Sequence, residues 1–164
     1  MHKQFIKTIY LDMDGVIADF VKRYEEMFHM EPRQAEKKKE FNKYFDEFIE
    51  TKQFETLDLM PGAEMGLELL RKHLTVPTQI LSSTANEERY DAISKQKLIW
   101  LNTHNVTFTP NFVPGKKHKW KFATPDSIII DDTLSVIEDW RKAGGIAIWH
   151  KDWPSPLSML SQYI

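Results

Sequence analysis

Five short runs of apolar and β-branched residues govern what this chain can fold into. They lie at residues 5–11, 76–81, 106–109, 127–130 and 146–149. Most do not alternate apolar with polar side chains, which is the pattern of strands buried on both faces. Helical patterns separate them. Leu67, Leu70 and Leu74 follow Pro61-Gly62, and Tyr90, Ile93, Lys97, Trp100 and Leu101 mark a longer helix. Val136, Ile137 and Trp140 mark another, with Ser135-x-x-Glu138 as a capping box and Gly144 as a stop. Strands alternating with helices predict an α/β three-layer sandwich around a mostly parallel sheet, joined by right-handed crossovers.

One segment breaks the alternation. Residues 17–60 hold no strand pattern. Ile17, Phe20, Val21, Tyr24, Met27 and Phe28 recur at helical spacing, and so do Phe41, Tyr44, Phe45, Phe48 and Ile49, beside the charged stretch 36–40. The reading is a small helical cap at 17–60, inserted after strand one of a core formed by 1–16 and 61–164. Its aromatic stripe reads as packing rather than as a ligand pocket.

At 164 residues the chain suits one domain with a small insertion, and its 41% hydrophobic and 12% aromatic content supplies a core. A net charge of -2 gives no general attraction to nucleic acid or membrane. The lack of cysteine excludes disulfides and thiolate metal sites. No apolar run reaches membrane-spanning length, and residues 1–7 lack the apolar stretch of a signal peptide. The expectation is a soluble, cytoplasmic protein; a homodimer stays open.

The first run continues as Ile9-Tyr-Leu-Asp-Met-Asp-Gly-Val-Ile17. It places Asp12 and Asp14 at a strand end, where open α/β sheets bind ligands, with Gly15 free to turn. Alone, the pair serves a turn or a helix cap equally well. Other strand ends carry partners. Ser82-Ser83-Thr84 follows the second strand, where a hydroxyl can meet a phosphate oxygen or simply cap the next helix. Asp131-Asp132 follows the fourth, two carboxylates that repel unless a cation or donor lies between them. The lysine-rich segment 115–123 precedes that strand. Most of its lysines read as solvated, but one can reach the same edge. The inventory suits Mg²⁺, a hard ion that prefers oxygen ligands. It also suits phosphoryl transfer with a carboxylate nucleophile.

These motifs resemble the haloacid dehalogenase (HAD) superfamily of phosphatases. Asp-Met-Asp-Gly-Val-Ile-Ala-Asp-Phe (12–20) is similar to the first motif of its 5'(3')-deoxyribonucleotidase branch. Phe54-x-x-Leu57-x-Leu59-x-Pro61-Gly62-Ala63 resembles the return from that family's cap. The stretch from Thr78 to Thr84 resembles its second-motif strand, Trp100-Leu101-x-x-His104 its following helix, and Ile130-Asp131-Asp132 its fourth motif. The match runs in patches from Ile9 to Asp132. It implies a Rossmann-like core and a Mg²⁺-dependent phosphomonoesterase acting on a small phosphomonoester, a (deoxy)nucleoside monophosphate.

The resemblance also implies roles. Asp12 is the nucleophile and a metal ligand. Asp14 is the general acid, then the base, and gives its carbonyl to the metal. Asp132 contacts the metal, and Asp131 supports the site. Ser83 and Thr84 hold phosphate oxygens. The third-motif lysine has two candidates. A gapless count back from Asp131 points to Lys121, while Lys119 shares a predicted helix face with Phe122 and Ala123 and is favoured. Phe20 corresponds to a base-contacting aromatic, although its spacing with Ile17, Val21 and Tyr24 suits a core role equally. The insertion is shorter than that branch's usual cap, so polynucleotide ends or another phosphomonoester stand as alternative substrates. A non-enzymatic, receiver-like signalling domain is a remote alternative, opposed by Asp14 and by the insertion.

Overall fold

The structure, a computed structural model, describes residues 5–72 and 75–164; Leu74 and the first four residues lie outside them. Five parallel strands form the central sheet: β1 (Thr8–Leu11), β2 (Thr78–Ser83), β3 (Thr109–Val113), β4 (Ser127–Asp131) and β5 (Ile146–Trp149). Their order is β3-β2-β1-β4-β5. β4 is buried at every position, as its Ser-Ile-Ile-Ile-Asp sequence predicts for a strand covered on both faces. The register pairs Leu11 with Ile80 on one side and with Ile130 on the other. The residues that follow β1, β2 and β4 therefore emerge at one edge. The chain builds outward on one side of β1, then crosses to its other side, so β1 lies at the switch point where such sheets bind ligands.

The pleat sorts side chains into two layers. Ile9, Leu11, Ile80, Ile128 and Ile130 face a core with Ile93, Trp100 and Leu101 of α5 (Tyr90–Thr103) and Leu67 and Leu70 of α4 (Ala63–Lys72). Leu81, Ile129 and Ala147 face the opposite layer, packed on Val136, Ile137 and Trp140 of α6 (Leu134–Lys142). The three-layer sandwich follows. The last helix, α7 (Pro154–Leu160), brings buried Leu160 to the first layer.

Two local expectations change. The third strand is Thr109–Val113, not 106–109. Val106 is buried where α5 ends, after Asn105 in the left-handed region, and its N–H bonds Leu101 O. Pro110 and Asn111 are tolerated because β3 is an edge strand. At α6, Thr133 rather than a Ser135 box is the N-cap, because Asp131 Oδ1 accepts the Thr133 N–H and starts the helix early.

Between β1 and α4 the described residues form α1 (Phe20–Phe28), α2 (Pro32–Lys37), α3 (Phe41–Glu50) and a 3₁₀ turn, Gln53–Thr56. Asp19 caps α1 by accepting the Lys22 N–H at 3.2 Å. The aromatic stripes meet: Phe20 stacks on Phe54 at 5.7 Å between centroids and meets Tyr24, Phe45 and Phe48. Gln96 of α5 ties this layer down by donating to Ile49 O and accepting the Phe54 N–H. Among the described residues no helix is long and apolar enough to cross a membrane.

Candidate active site

Asp12 is the first residue past β1, and its N–H still bonds Ile130 O at 3.0 Å. The chain then closes a tight loop: Met13 O accepts the N–H groups of Val16, Ile17 and Ala18 at 3.1, 2.9 and 3.0 Å. Gly15 makes it possible. Its φ is +79°, and a Cβ there would overlap the Asp132 carboxylate. The loop is fastened from outside by Trp153 Nε1 donating to Val16 O at 2.7 Å and by Met60 N donating to Ile17 O at 2.8 Å.

Lys119 is 2% exposed and donates to Asp12 Oδ1 at 2.8 Å and to Asp131 Oδ2 at 2.7 Å. It sits on a 3₁₀ segment, Lys116–Phe122, that runs into the turn before β4. Burial alone would lower its pKa, but the Asp12 and Asp131 carboxylates outweigh burial and hold the ammonium above the ordinary lysine range. Asp131 Oδ1 accepts the Thr133 N–H at 2.9 Å, so both Asp131 oxygens are committed. Burial and the neighbouring Asp12 push its carboxyl upward.

Asp132 is placed differently. The residue lies at the rim, while its carboxylate tucks against Gly15 and Asp12. Burial, then Asp12 and Asp131, push it up to about 8. Asp12, Asp131 and Asp132 each offer an oxygen within 4.8 Å of the others. Two facing carboxylates, Asp12 and Asp132, share that space comfortably only with a proton or a cation between them. The all-oxygen donor set fits a hard divalent ion such as Mg²⁺.

The other expected residues divide. Ser83 comes to the same edge, its Oγ accepting the Ala85 N–H at 3.1 Å and its O–H left to donate. Thr84, expected to offer a phosphate an amide or hydroxyl, does neither. It is fully buried, its N–H bonds Val113 O at 2.8 Å, and its hydroxyl bonds Val113 O and Asn86 O at 3.3 Å. The pleat turns it away from Ser83. Lys121 is exposed and pairs with His118 Nδ1 at 3.0 Å, away from the carboxylates. Phe20 is half-buried in the aromatic cluster.

The sequence reading missed Lys97. Its side chain belongs to the buried face of α5, 1% exposed, and reaches Asp14 Oδ2 at 2.9 Å, Ser82 Oγ at 2.7 Å and Ser83 O at 2.9 Å. The signal was a lysine on an otherwise apolar helical stripe, a place that demands a buried acceptor.

No protein-family model matches the chain, and no curated protein matches it. Solved structures do resemble it. A hydrolase from Streptococcus pneumoniae TIGR4 is 16% identical with a TM-score of 0.57, over 95% of this chain and 98% of that one. L-2-haloacid dehalogenase from Xanthobacter autotrophicus is 11% identical with a TM-score of 0.57, over 96% and 83%. A HAD family enzyme from Bacteroides thetaiotaomicron, in complex with magnesium and inorganic phosphate, is 16% identical with a TM-score of 0.51, over 90% and 97%. At such identities the common property is the fold alone. The chain carries an α/β, Rossmann-like fold that it shares with these solved structures.

Proposed function

We propose that the chain is a Mg²⁺-dependent phosphomonoesterase that works through a phosphoryl-Asp12 intermediate, with (deoxy)nucleoside monophosphates as substrates. The observation that carries this reading is the buried Lys119 ammonium held between Asp12 and Asp131, with Asp132 and Ser83 on the flanking strand ends. A phosphate dianion is repelled by a bare carboxylate, and Lys119 screens that repulsion where burial makes charges interact strongly. Two of its N–H groups are used on carboxylates, which leaves the third for a phosphate oxygen.

Asp12 attacks phosphorus as the bond to the leaving oxygen breaks, and that oxygen takes a proton from Asp14. Water then attacks phosphorus, its proton returns to Asp14, and the bond to Asp12 breaks. The proton taken in the second step is the one given in the next first step. Asp12, Asp132 and the Asp14 carbonyl would hold Mg²⁺, which supplies charge neutralisation when bound.

The nucleotide part rests on the likeness of residues 12–20 to the nucleotidase motif and on half-buried Phe20, which opens α1 just beyond the Asp14 loop. A screen of nucleotides and other phosphomonoesters, with and without Mg²⁺, tests it. The expected result is Mg²⁺-dependent release of phosphate from nucleoside monophosphates, abolished by Asp12→Asn. Full activity in Asp12→Asn overturns the nucleophile, and activity confined to other phosphomonoesters overturns the substrate.

One observation favours the second reading, a polynucleotide end. Lys117, Trp120 and Lys142 line an open groove of about 460 Å³ together with Asp139 and Ala143, and neighbouring Lys116 reaches Thr133 Oγ1 beside Asp132 at 3.4 Å. Basic and aromatic side chains in a groove are what single strands bind. A steep loss of oligonucleotide affinity with salt would support it; preference for free nucleotides, indifferent to salt, removes it.

A further inference from the structure

We infer that Lys97 is a positioning residue that fixes the orientation of the Asp14 carboxylate for its part in moving the proton. The inference rests on the phosphatase reading above and deepens it. An ammonium has three N–H donors. Those of Lys97 go to Asp14 Oδ2, Ser82 Oγ and Ser83 O, at 2.9, 2.7 and 2.9 Å. None is left over for a phosphate, so Lys97 acts through Asp14 rather than on the substrate. This separates it from Lys119, which spends two donors on carboxylates.

The other half of the observation is at Asp14. Its Oδ2 is tied to Lys97, while its Oδ1 is buried without a hydrogen-bond partner. The Lys97 bond therefore holds the carboxylate in one orientation, with 31% of the side chain still exposed.

The clamp also joins two strand ends. Asp14 lies in the loop after β1, Ser82 and Ser83 end β2, and the lysine comes from α5. The carboxylate that moves the proton and the backbone of the serine proposed to meet the phosphate are therefore held by one side chain. Phe54 covers it, with Lys97 Nζ 5.2 Å from the ring centroid. A loose Asp14 would still be present but aimed poorly, and small misplacements of a catalytic group are expensive.

Leaving-group dependence tests this. Alkyl phosphates need a proton on the departing oxygen; 4-nitrophenyl phosphate releases a stable phenolate and needs little help. Asp14→Asn sets the full change in the ratio of kcat/KM between the two. Lys97→Met is expected to shift that ratio the same way by at least about tenfold, a part of the roughly 10²–10⁴-fold that general acid catalysis supplies in full. Lys97→Gln, which keeps a donor in the slot, is expected to fall between wild type and Lys97→Met, and it carries the test if Lys97→Met does not fold. Equal slowing of both substrates, or no change, overturns the proposal.

A readout without turnover separates this from the phosphatase reading. In protein labelled with ¹⁵N-lysine, Lys97 Nζ should give an exchange-protected ammonium signal that Asp14→Asn exposes. A wild-type protein inactive on every phosphomonoester, yet with that protected signal, refutes the reaction and keeps the clamp. An unprotected signal in wild type refutes the clamp itself.

Discussion

Gly15 and Asp132 fit together only because one of them has no side chain: a Cβ at Gly15 would stand where the Asp132 carboxylate lies. The glycine also holds φ at +79°, so a substitution meets both strain and overlap. Gly15→Ala is expected to cost about 1–2 kcal/mol from the left-handed backbone alone. Displacement of Asp132 should weaken Mg²⁺ binding as well. Chemical denaturation and Mg²⁺ titration calorimetry check both. Unchanged metal affinity would show that Asp132 is not held in place by that contact.

Lys119 pairs two buried carboxylates, so its removal leaves both without their cation. Lys119→Met is expected to destabilise the fold by about 3–5 kcal/mol, the usual cost of breaking a buried pair from one side. Adding Asp131→Asn to it should recover part of the loss, because one of the stranded charges is gone. Urea denaturation of the single and double variants measures this. A single variant as stable as wild type would contradict the pairing.

The pH dependence of the metal-free protein has a definite sign. Burial, with Asp12 and Asp131 nearby, raises Asp132 to about 8, above its unfolded value of about 3.9. The folded state therefore binds the proton more tightly. That contribution is fully present below about pH 4 and is lost as pH rises through about 8. The melting temperature without metal should fall across that window, and Asp132→Asn should flatten the fall. Mg²⁺ binds the ionised carboxylate, so its stabilising effect should be larger at pH 9 than at pH 6. A Mg²⁺ shift that shrinks with rising pH would refute the role of Asp132 as a ligand.

Phe20 separates packing from recognition. It meets Tyr24, Phe45, Phe48 and Phe54, so Phe20→Ala should destabilise the protein by about 3 kcal/mol, the lower end for a truncated buried aromatic. If it also touches a nucleobase, KM should rise for nucleoside monophosphates and stay constant for a small phosphate that has no base. An equal rise for both substrates would leave Phe20 with the packing role alone.

The sequence made some elements plain and hid others, for physical reasons. β4 was legible because a strand covered on both faces must be apolar throughout, and Ser127–Asp131 is buried at every position. β3 was hidden because an edge strand tolerates Pro110 and an asparagine, while Val106 imitated a strand from the end of a helix. The acidic strand ends were legible because carboxylates abutting apolar runs have few innocent uses. Lys119 and Lys121 differ by two residues, and the 3₁₀ segment buries the first and exposes the second. Thr84 and Lys97 escaped because pleat and helix phase, not residue type, set which way each side chain points. A lysine counted as part of an apolar stripe was paired with an aspartate 83 positions away.

The most direct measurement of the central claim is mass spectrometry of the protein quenched in acid during turnover of a phosphomonoester with Mg²⁺. The account predicts a phosphoryl adduct on the peptide that contains Asp12, absent without Mg²⁺ and absent in Asp12→Asn. Turnover with no such adduct, together with undiminished activity in Asp12→Asn, would contradict it.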